Sequence, residues 1–334
     1  MRLDCEGCSV PFKSLFAALC LAATFIQPVS AQNWPARPIT MIVPFGAGGS
    51  ADVVGRLIGQ KLSEKLGQSI LIENVSGAGG LIGTQRAARA EADGYTILMG
   101  VESTMAIAKL IQPNVVQYDG LNDFQPIALI GTSPIAVLAR KDFPASTTDE
   151  LLKLLRANPG KYSFATSGVG SSLHLAGELI SLEGKAPMTH LPYRVGSQVI
   201  TDLAAGHIDL AVLTLVTALP PLRSGQIKSF GITSKETSPL APELKPMADH
   251  PDLKKVDVST WFGLFAPART DPAIVERLNR EINSLLADPA MRARLADLSV
   301  QAVSGDTPAA FKSFLASEIE KYGAIVKAAN IKLE

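Results

Sequence analysis

The segment Pro44-Phe45-Gly46-Ala47-Gly48-Gly49-Ser50-Ala51-Asp52 decides how this chain reads. An apolar run, Ile39-Thr40-Met41-Ile42-Val43, precedes it, and an amphipathic run, 53–62, follows. A buried strand that enters a helix through a glycine-rich loop leaves unpaired backbone N–H groups at the helix start. These amides converge and the helix dipole adds to them, so the site favours an anion. The pattern recurs thirty residues on, as the apolar stretch 69–74, then Val75-Ser76-Gly77-Ala78-Gly79-Gly80, then a small-residue helix to Ala90. Two such loops in one α/β half point to a site built from main chain rather than from reactive side chains.

Working outward, the 334 residues are 47% hydrophobic and carry 31 basic and 31 acidic side chains. That length suits two α/β lobes. With zero formal charge, no basic stripe and few aromatics, nucleic acid is not expected as a partner. Residues 14–26 form an apolar segment too short to span a bilayer well, and Val29-Ser30-Ala31 follows as a small-x-small pattern. Residues 1–31 therefore read as a signal peptide cleaved after Ala31, and the mature protein is expected in the periplasm. The three cysteines, Cys5, Cys8 and Cys20, all fall in that leader. Cys5-x-x-Cys8 has no second ligand pair, so neither a redox motif nor a zinc site is expected.

Further along, Ala92-Asp93-Gly94-Tyr95 turns into the apolar run 96–100, a third parallel strand. Strands alternating with helices at this spacing indicate a doubly wound lobe, whose ligands sit beyond the carboxyl ends of its strands. Pro44, Gly77 and Val101-Glu102-Ser103-Thr104 all lie at such ends. The apolar stretch 124–139, interrupted at Thr132-Ser133, reads as one long strand carrying the chain into a second lobe. There Thr166-Ser167-Gly168-Val169-Gly170-Ser171-Ser172 makes a third glycine- and hydroxyl-rich helix start. Residues 261–266 mirror the crossover and return the chain to the first lobe, with helices expected near 272–287, 289–297 and 308–328. The expected lobes are 32–132 with 257–334, and 133–256, closing by a hinge at two crossover strands.

Other chemistries fit less well. Neither glycine loop has the G-x-G-x-x-G spacing of a dinucleotide site, and no glycine loop ends in Lys-Ser or Lys-Thr. No cofactor is expected. The four histidines are too scattered for a metal site, and none is expected. There is no G-x-S-x-G elbow. A secreted hydrolase or lyase using Ser171 or Ser172 with His174 stays as the alternative, although serine at a helix start is common as a cap and His174 on an apolar helix is more often a packed core residue. Asp52, in a first helical turn, suits the dipole but would repel an anion, so it is read as support for the loop. Paired glycines can also be tight turns with no ligand.

Several joint motifs resemble one family. They are Trp34-Pro35-x-Arg37-Pro38-Ile39, Pro44-Phe45-x-x-Gly48-Gly49-x-x-Asp52, Asn74-x-x-Gly77-Ala78-Gly79-Gly80 and Ala92-Asp93-Gly94-Tyr95-Thr96. Phe124-x-Pro126-Ile127-Ala128-Leu129-Ile130, His174-Leu175-Ala176-Gly177-Glu178, Trp261-Phe262-Gly263-Leu264-Phe265-Ala266-Pro267-Ala268 and the end, Ala328-Ala329-x-Ile331-Lys332-Leu333-Glu334, extend the match over the mature chain. The chain resembles the Bug/TctC-type extracytoplasmic solute receptors. The resemblance implies a two-lobed, type II-like periplasmic binding protein that is not an enzyme and holds a small carboxylate or related metabolite through amides and bridging water. It implies a membrane transporter of the tripartite tricarboxylate type, or a sensor, as partner, and a monomeric receptor.

Carried over position by position, the resemblance places Phe45, Gly48, Gly49, Gly77, Ala78 and Gly79 on the ligand from the first lobe. From the second lobe it places Ser167, Gly168, Gly170, Ser171 and His174. Three departures stand out. Ala47 occupies a frequent proline position, Arg194-Val195-Gly196 replaces a common Lys-Gly-Gly, and Thr214 stands where an acidic residue is often found. Without that acid a ligand amine loses its receiver, so the change at Thr214 speaks against an amino acid and favours a non-amino carboxylate or a neutral aromatic or amide ligand. On this reading Gly48→Val and Gly79→Val should each abolish binding and leave the fold largely intact.

Overall fold

The structure, a computed structural model, describes residues 34–328. The leader 1–31 with its three cysteines and the terminal motif from residue 329 onward lie outside the described residues. The secondary structure belongs to the unit that begins at Arg37. Its strands in chain order are β1 (Ile39–Val43), β2 (Ile70–Asn74), β3 (Thr96–Val101), β4 (Phe124–Arg140), β5 (Ser163–Thr166), β6 (Thr189–Pro192), β7 (Leu210–Thr214), β8 (Ile227–Ile232), β9 (Ser259–Pro267) and β10 (Gln301–Ala302).

Strands covered on both faces need apolar residues throughout, and β1 and β3 are of this kind. β1 runs parallel to β2 on one side and to β3 on the other. β3 then meets β9, and β9 meets β4, both antiparallel. The 17 residues of β4 serve two sheets. From Phe124 to Pro134 the strand pairs with β9. From Ile135 onward it pairs with β7, and from Ala136 with β8. β7, β5 and β6 continue as parallel strands. The full order is β2-β1-β3-β9-β4-β7-β5-β6, with β8 and β10 attached to β4. Each end of β4 thus carries its own α/β lobe, and the antiparallel pair β4–β9 joins them.

Helices Ser50–Leu66, Leu81–Ala88, Thr148–Ala157, Ser172–Glu183 and Gly196–Ala204 follow strands as the alternation requires. Helix Leu215–Arg223 is not evident from sequence, because it contains Pro220 and Pro221, which normally break helices. The π-turn Ser103–Ile107 and the two-residue β10 are too short to leave a periodic signal. Helices Pro272–Ala287, Pro289–Asp297 and Pro308–Ala328 stand where their prolines predict.

The last of these helices fastens the crossover. Trp261 Nε1 donates to the buried Glu318 carboxylate at 3.0 Å, and the Tyr322 hydroxyl donates to the Ser259 carbonyl at 3.0 Å. Phe311 meets Trp261 edge-on, with ring centroids 5.9 Å apart. A side chain at Gly263 would collide with the Phe311 ring, so this crossover strand needs a glycine there. Among the described residues no helix is long and apolar enough to cross a membrane.

Candidate functional site

Loop one is held by a side chain. Gly48 has φ +80° and turns its N–H onto Asp52 Oδ2 at 2.9 Å. Asn74, at the end of β2, donates from Nδ2 to the Phe45 carbonyl at 3.0 Å and to Asp52 Oδ1 at 2.9 Å. Arg56, one helical turn on from Asp52, adds Nε at 3.0 Å and Nη2 at 2.9 Å. Burial pulls the Asp52 pKa upward, but the hydrogen bonds from Arg56, Gly48 and Asn74 outweigh it and hold the carboxyl below its ordinary 3.8. Asp52 is thus fully paired with the loop and its helix, and it lines neither of the cavities between the loops.

Loop two is shaped chiefly by its backbone, with the Thr84 hydroxyl donating to the Gly80 carbonyl at 2.9 Å. Gly77, Ala78, Gly79 and Gly80 have φ of +136°, +47°, +65° and +94°, four positive values in succession. Ala78 does this with a side chain, at a cost of roughly 1–2 kcal/mol. Glycine is required at Gly80 for a second reason. A Cβ there would come 2.7 Å from the Thr104 methyl and 3.0 Å from the Phe45 ring. Gly83 in the next helix similarly allows close approach to Pro44. The second loop therefore rests directly on the first.

The third loop, 166–171, is tied internally. Thr166 Oγ1 donates to the Gly168 carbonyl at 3.1 Å and so accepts from His190 Nε2 at 2.7 Å. Gly170 N–H donates to His174 Nδ1 at 3.1 Å, which leaves the His174 proton on Nε2, 3.5 Å from Glu178. The two imidazoles stack at 3.9 Å. Burial, with His174 beside it, pushes the His190 pKa down to about 3, so this ring is neutral. Ser171 caps the helix that starts at Ser172, accepting from His174 N–H at 3.2 Å and donating to Gly168 O at 2.8 Å.

One buried carboxylate knits these parts together. Glu102, just past β3 and 2% exposed, accepts at Oε1 from Ser172 Oγ (2.5 Å) and Ser103 Oγ (3.2 Å). At Oε2 it accepts from Thr260 Oγ1 (2.7 Å) and the Trp261 N–H (3.0 Å). Burial raises its pKa, and the donors from Ser172, Thr260 and Trp261 offset part of that rise. The result ties the end of β3, the crossover β9 and the start of a second-lobe helix to one group.

Two adjoining cavities lie between these loops. The inner one, of about 50 Å³, is lined by residues at the starts of four helices: Ser50 and Ala51, Ser171, Gly196, and Thr214 with Thr217. Glu102, Ser103 and Thr260 complete its wall. The outer one, of about 610 Å³, is lined chiefly by loop two and by Ser167, Gly168 and Val169. The walls approach closely. A Cβ at Gly46 would lie 2.7 Å from a Val195 methyl, and one at Gly79 would lie 3.3 Å from the Val169 carbonyl.

Among the sequence-predicted site residues, the cavities bring together Phe45, Gly49, Gly77, Ala78, Gly79, Ser167, Gly168, Ser171 and Thr214. Gly48, Gly170 and His174 line neither cavity. The Gly48 amide faces Asp52, and Gly170 and His174 bond each other beneath the third loop. Ser50, Ala51, Arg194 and Thr260 are not among the site residues the sequence points to, although Ser50 and Ala51 open the helix at the anion site, and Glu102 is met there only as part of the strand end 101–104. Neither serine of the hydrolase alternative meets an imidazole: Ser172 Oγ donates to Glu102, and Ser171 is a helix cap. Among the described residues no group of three or more His, Cys, Asp or Glu side chains could hold a metal.

A family model described as the tripartite tricarboxylate transporter family receptor matches residues 54–331. The chain belongs to this family of solute-binding receptors. It is 34% identical over 315 residues to BugT of Bordetella pertussis, covering 93% of this chain and 95% of that protein. Among solved structures it is similar to R. palustris Rpa4515 with adipate, with TM-score 0.86, 29% identity and coverage of 90% and 99%. It is also similar to MatC from Rhodopseudomonas palustris with bound malate, with TM-score 0.82, 32% identity and coverage of 88% and 100%. Members of this receptor family with solved structures include periplasmic binding proteins, as the similar BugD is described.

Proposed function

We propose that this receptor captures a small carboxylate between its lobes in the periplasm, after loss of residues 1–31, and presents it to a tripartite tricarboxylate-type transporter or to a sensor. The observation that carries the reading is the convergence of four helix N-termini on the inner cavity. Each brings the positive end of a dipole, and hydroxyls of Ser50, Ser171, Thr214 and Thr217 stand among them; in the helix that starts at Ser172 the Ser172 and His174 amides are already taken by Ser103 Oγ and Ser171 Oγ, so the amides open to a solute are those of the other three. Charge-assisted hydrogen bonds contribute roughly 1.5–3 kcal/mol each, so three or four reach the ~8 kcal/mol of micromolar binding without a reactive group. The adipate and malate bound by the two similar proteins belong to the same chemical class.

The lobes of this reading are 32–132 with 257–334, and 133–256. Support for the hinge comes from β4, which exchanges β9 for β7 between Pro134 and Ile135. The receptor acts as a monomer that closes on its solute. Titration calorimetry of the mature chain against mono-, di- and tricarboxylates, with the matching amides as uncharged controls, tests the reading. Heat is expected from carboxylates and none from amides. Silence across the panel, together with no small molecule released from the purified protein on denaturation, would overturn it.

A further inference from the structure

The two cavities meet at three residues, Phe45, Ser167 and Arg194, which line both. Among the described residues Arg194 is the only cationic side chain on either wall, and the only carboxylate, Glu102, has donors on both oxygens. Arg194 is exposed, and among the described residues it has no hydrogen bond or ion pair. Four helix starts, each a partial positive charge, surround the neighbouring cavity, and the guanidinium beside them adds to a field that favours an anion.

The backbone around Arg194 is fixed while its side chain is not. Tyr193 N–H donates to the Thr166 carbonyl at 2.8 Å, the Tyr193 hydroxyl donates to Asp202 at 2.7 Å, and Val195 packs opposite Gly46. Size then separates the roles of the cavities. About 50 Å³ accommodates a few water-sized groups, which is a carboxylate and little more. A longer solute would reach the 610 Å³ space along the residues that both cavities share, Arg194 among them. A planar guanidinium at that passage offers a two-pronged match to a second carboxylate.

We propose that Arg194 is a specificity-determining residue that pairs with a second carboxylate of the solute, so that the preferred ligand is a dianionic, short-chain dicarboxylate. This rests on the carboxylate-receptor reading above. The test compares acids of matched carbon number, adipate with hexanoate and succinate with butyrate, on the mature protein and on Arg194→Gln and Arg194→Lys, with melting curves to verify folding. Arg194→Gln should weaken the better diacid about ten-fold and leave the monoacid within two-fold. Arg194→Lys should recover part of that loss, since it restores charge without the fork. Equal losses for both classes, no loss for the diacid, or wild-type binding of monoacids as tight as of diacids would overturn the role of Arg194 and leave the receptor reading standing. Failure of every acid to bind the wild type would instead remove the receptor reading, and this inference with it.

Discussion

Loop one and loop two share a glycine-rich sequence and a place at the end of a parallel strand, yet they are held by opposite means. In loop one a buried carboxylate gathers the Gly48 amide, the Asn74 amide and the Arg56 guanidinium. In loop two no charged side chain is bonded to the turn; four consecutive positive φ angles shape it, and the Thr84 hydroxyl bonds only its last carbonyl. The difference teaches where each loop is fragile. Loop one fails when Asp52 loses its charge. Loop two fails when Gly80 gains a side chain.

The largest effect is therefore expected at Gly80. Gly80→Val places a branched side chain at φ +94° and drives it into the Thr104 methyl and the Phe45 ring. Because Phe45 lines both cavities, the displacement reaches the ligand directly. A stability loss of about 3 kcal/mol and an affinity loss on the order of 100-fold are expected. Chemical denaturation and calorimetry on one preparation would measure both. Wild-type affinity in a folded Gly80→Val protein would show that loop two does not shape the site.

Much of this contrast is out of reach of sequence, for definite reasons. The alternation of buried strand, glycine loop and helix was readable because parallel strands are apolar throughout and helix starts favour small residues. The crossover at residues 124–139 was readable because its apolar run is too long for an ordinary strand. The partners of Glu102 were not, since Ser172 and Thr260 come to it from 70 and 158 positions away. Arg194 was noticed only as a departure from a motif. Its meaning depends on an absence of partners that only three dimensions reveal. Loop one itself is half legible: the sequence places Asp52 as support and Gly48 at the ligand, but not the bond by which Asp52 takes up the Gly48 amide.

The middle effect belongs to Asp52→Asn. The exchange keeps shape, removes the charge from three donors and places an amide where Gly48 needs an acceptor. A loss of about 1–3 kcal/mol is expected at neutral pH. Its pH dependence has a fixed sign. The Asp52 pKa is lowered by folding, so its contribution is fully present above the ordinary value of 3.8 and is lost as pH falls through the lower folded value. Denaturation midpoints of the two proteins should therefore stay apart above that window and converge below it. A gap that persists unchanged in acid would mean that packing, not ionisation, makes Asp52 matter.

The smallest effect is expected where the sequence placed one of the largest. The sequence predicts that Gly48→Val abolishes binding, on the ground that the backbone at Gly48 approaches the ligand closely. In the structure that amide faces Asp52, Gly48 lines neither cavity, and a Cβ there finds no atom within 4 Å. What remains is backbone strain, since φ +80° costs a branched residue roughly 1–2 kcal/mol. The Asp52 acceptor and the Arg56 and Asn74 bonds hold the turn against that strain. The melting temperature should drop, while affinity for the tightest carboxylate should stay within about three-fold, well inside the ~1.4 kcal/mol that a ten-fold change requires. If Gly48→Val instead abolishes binding in a folded protein, loop one must open its amide to the solute on closure, and the two loops would grip their ligand by the same means after all.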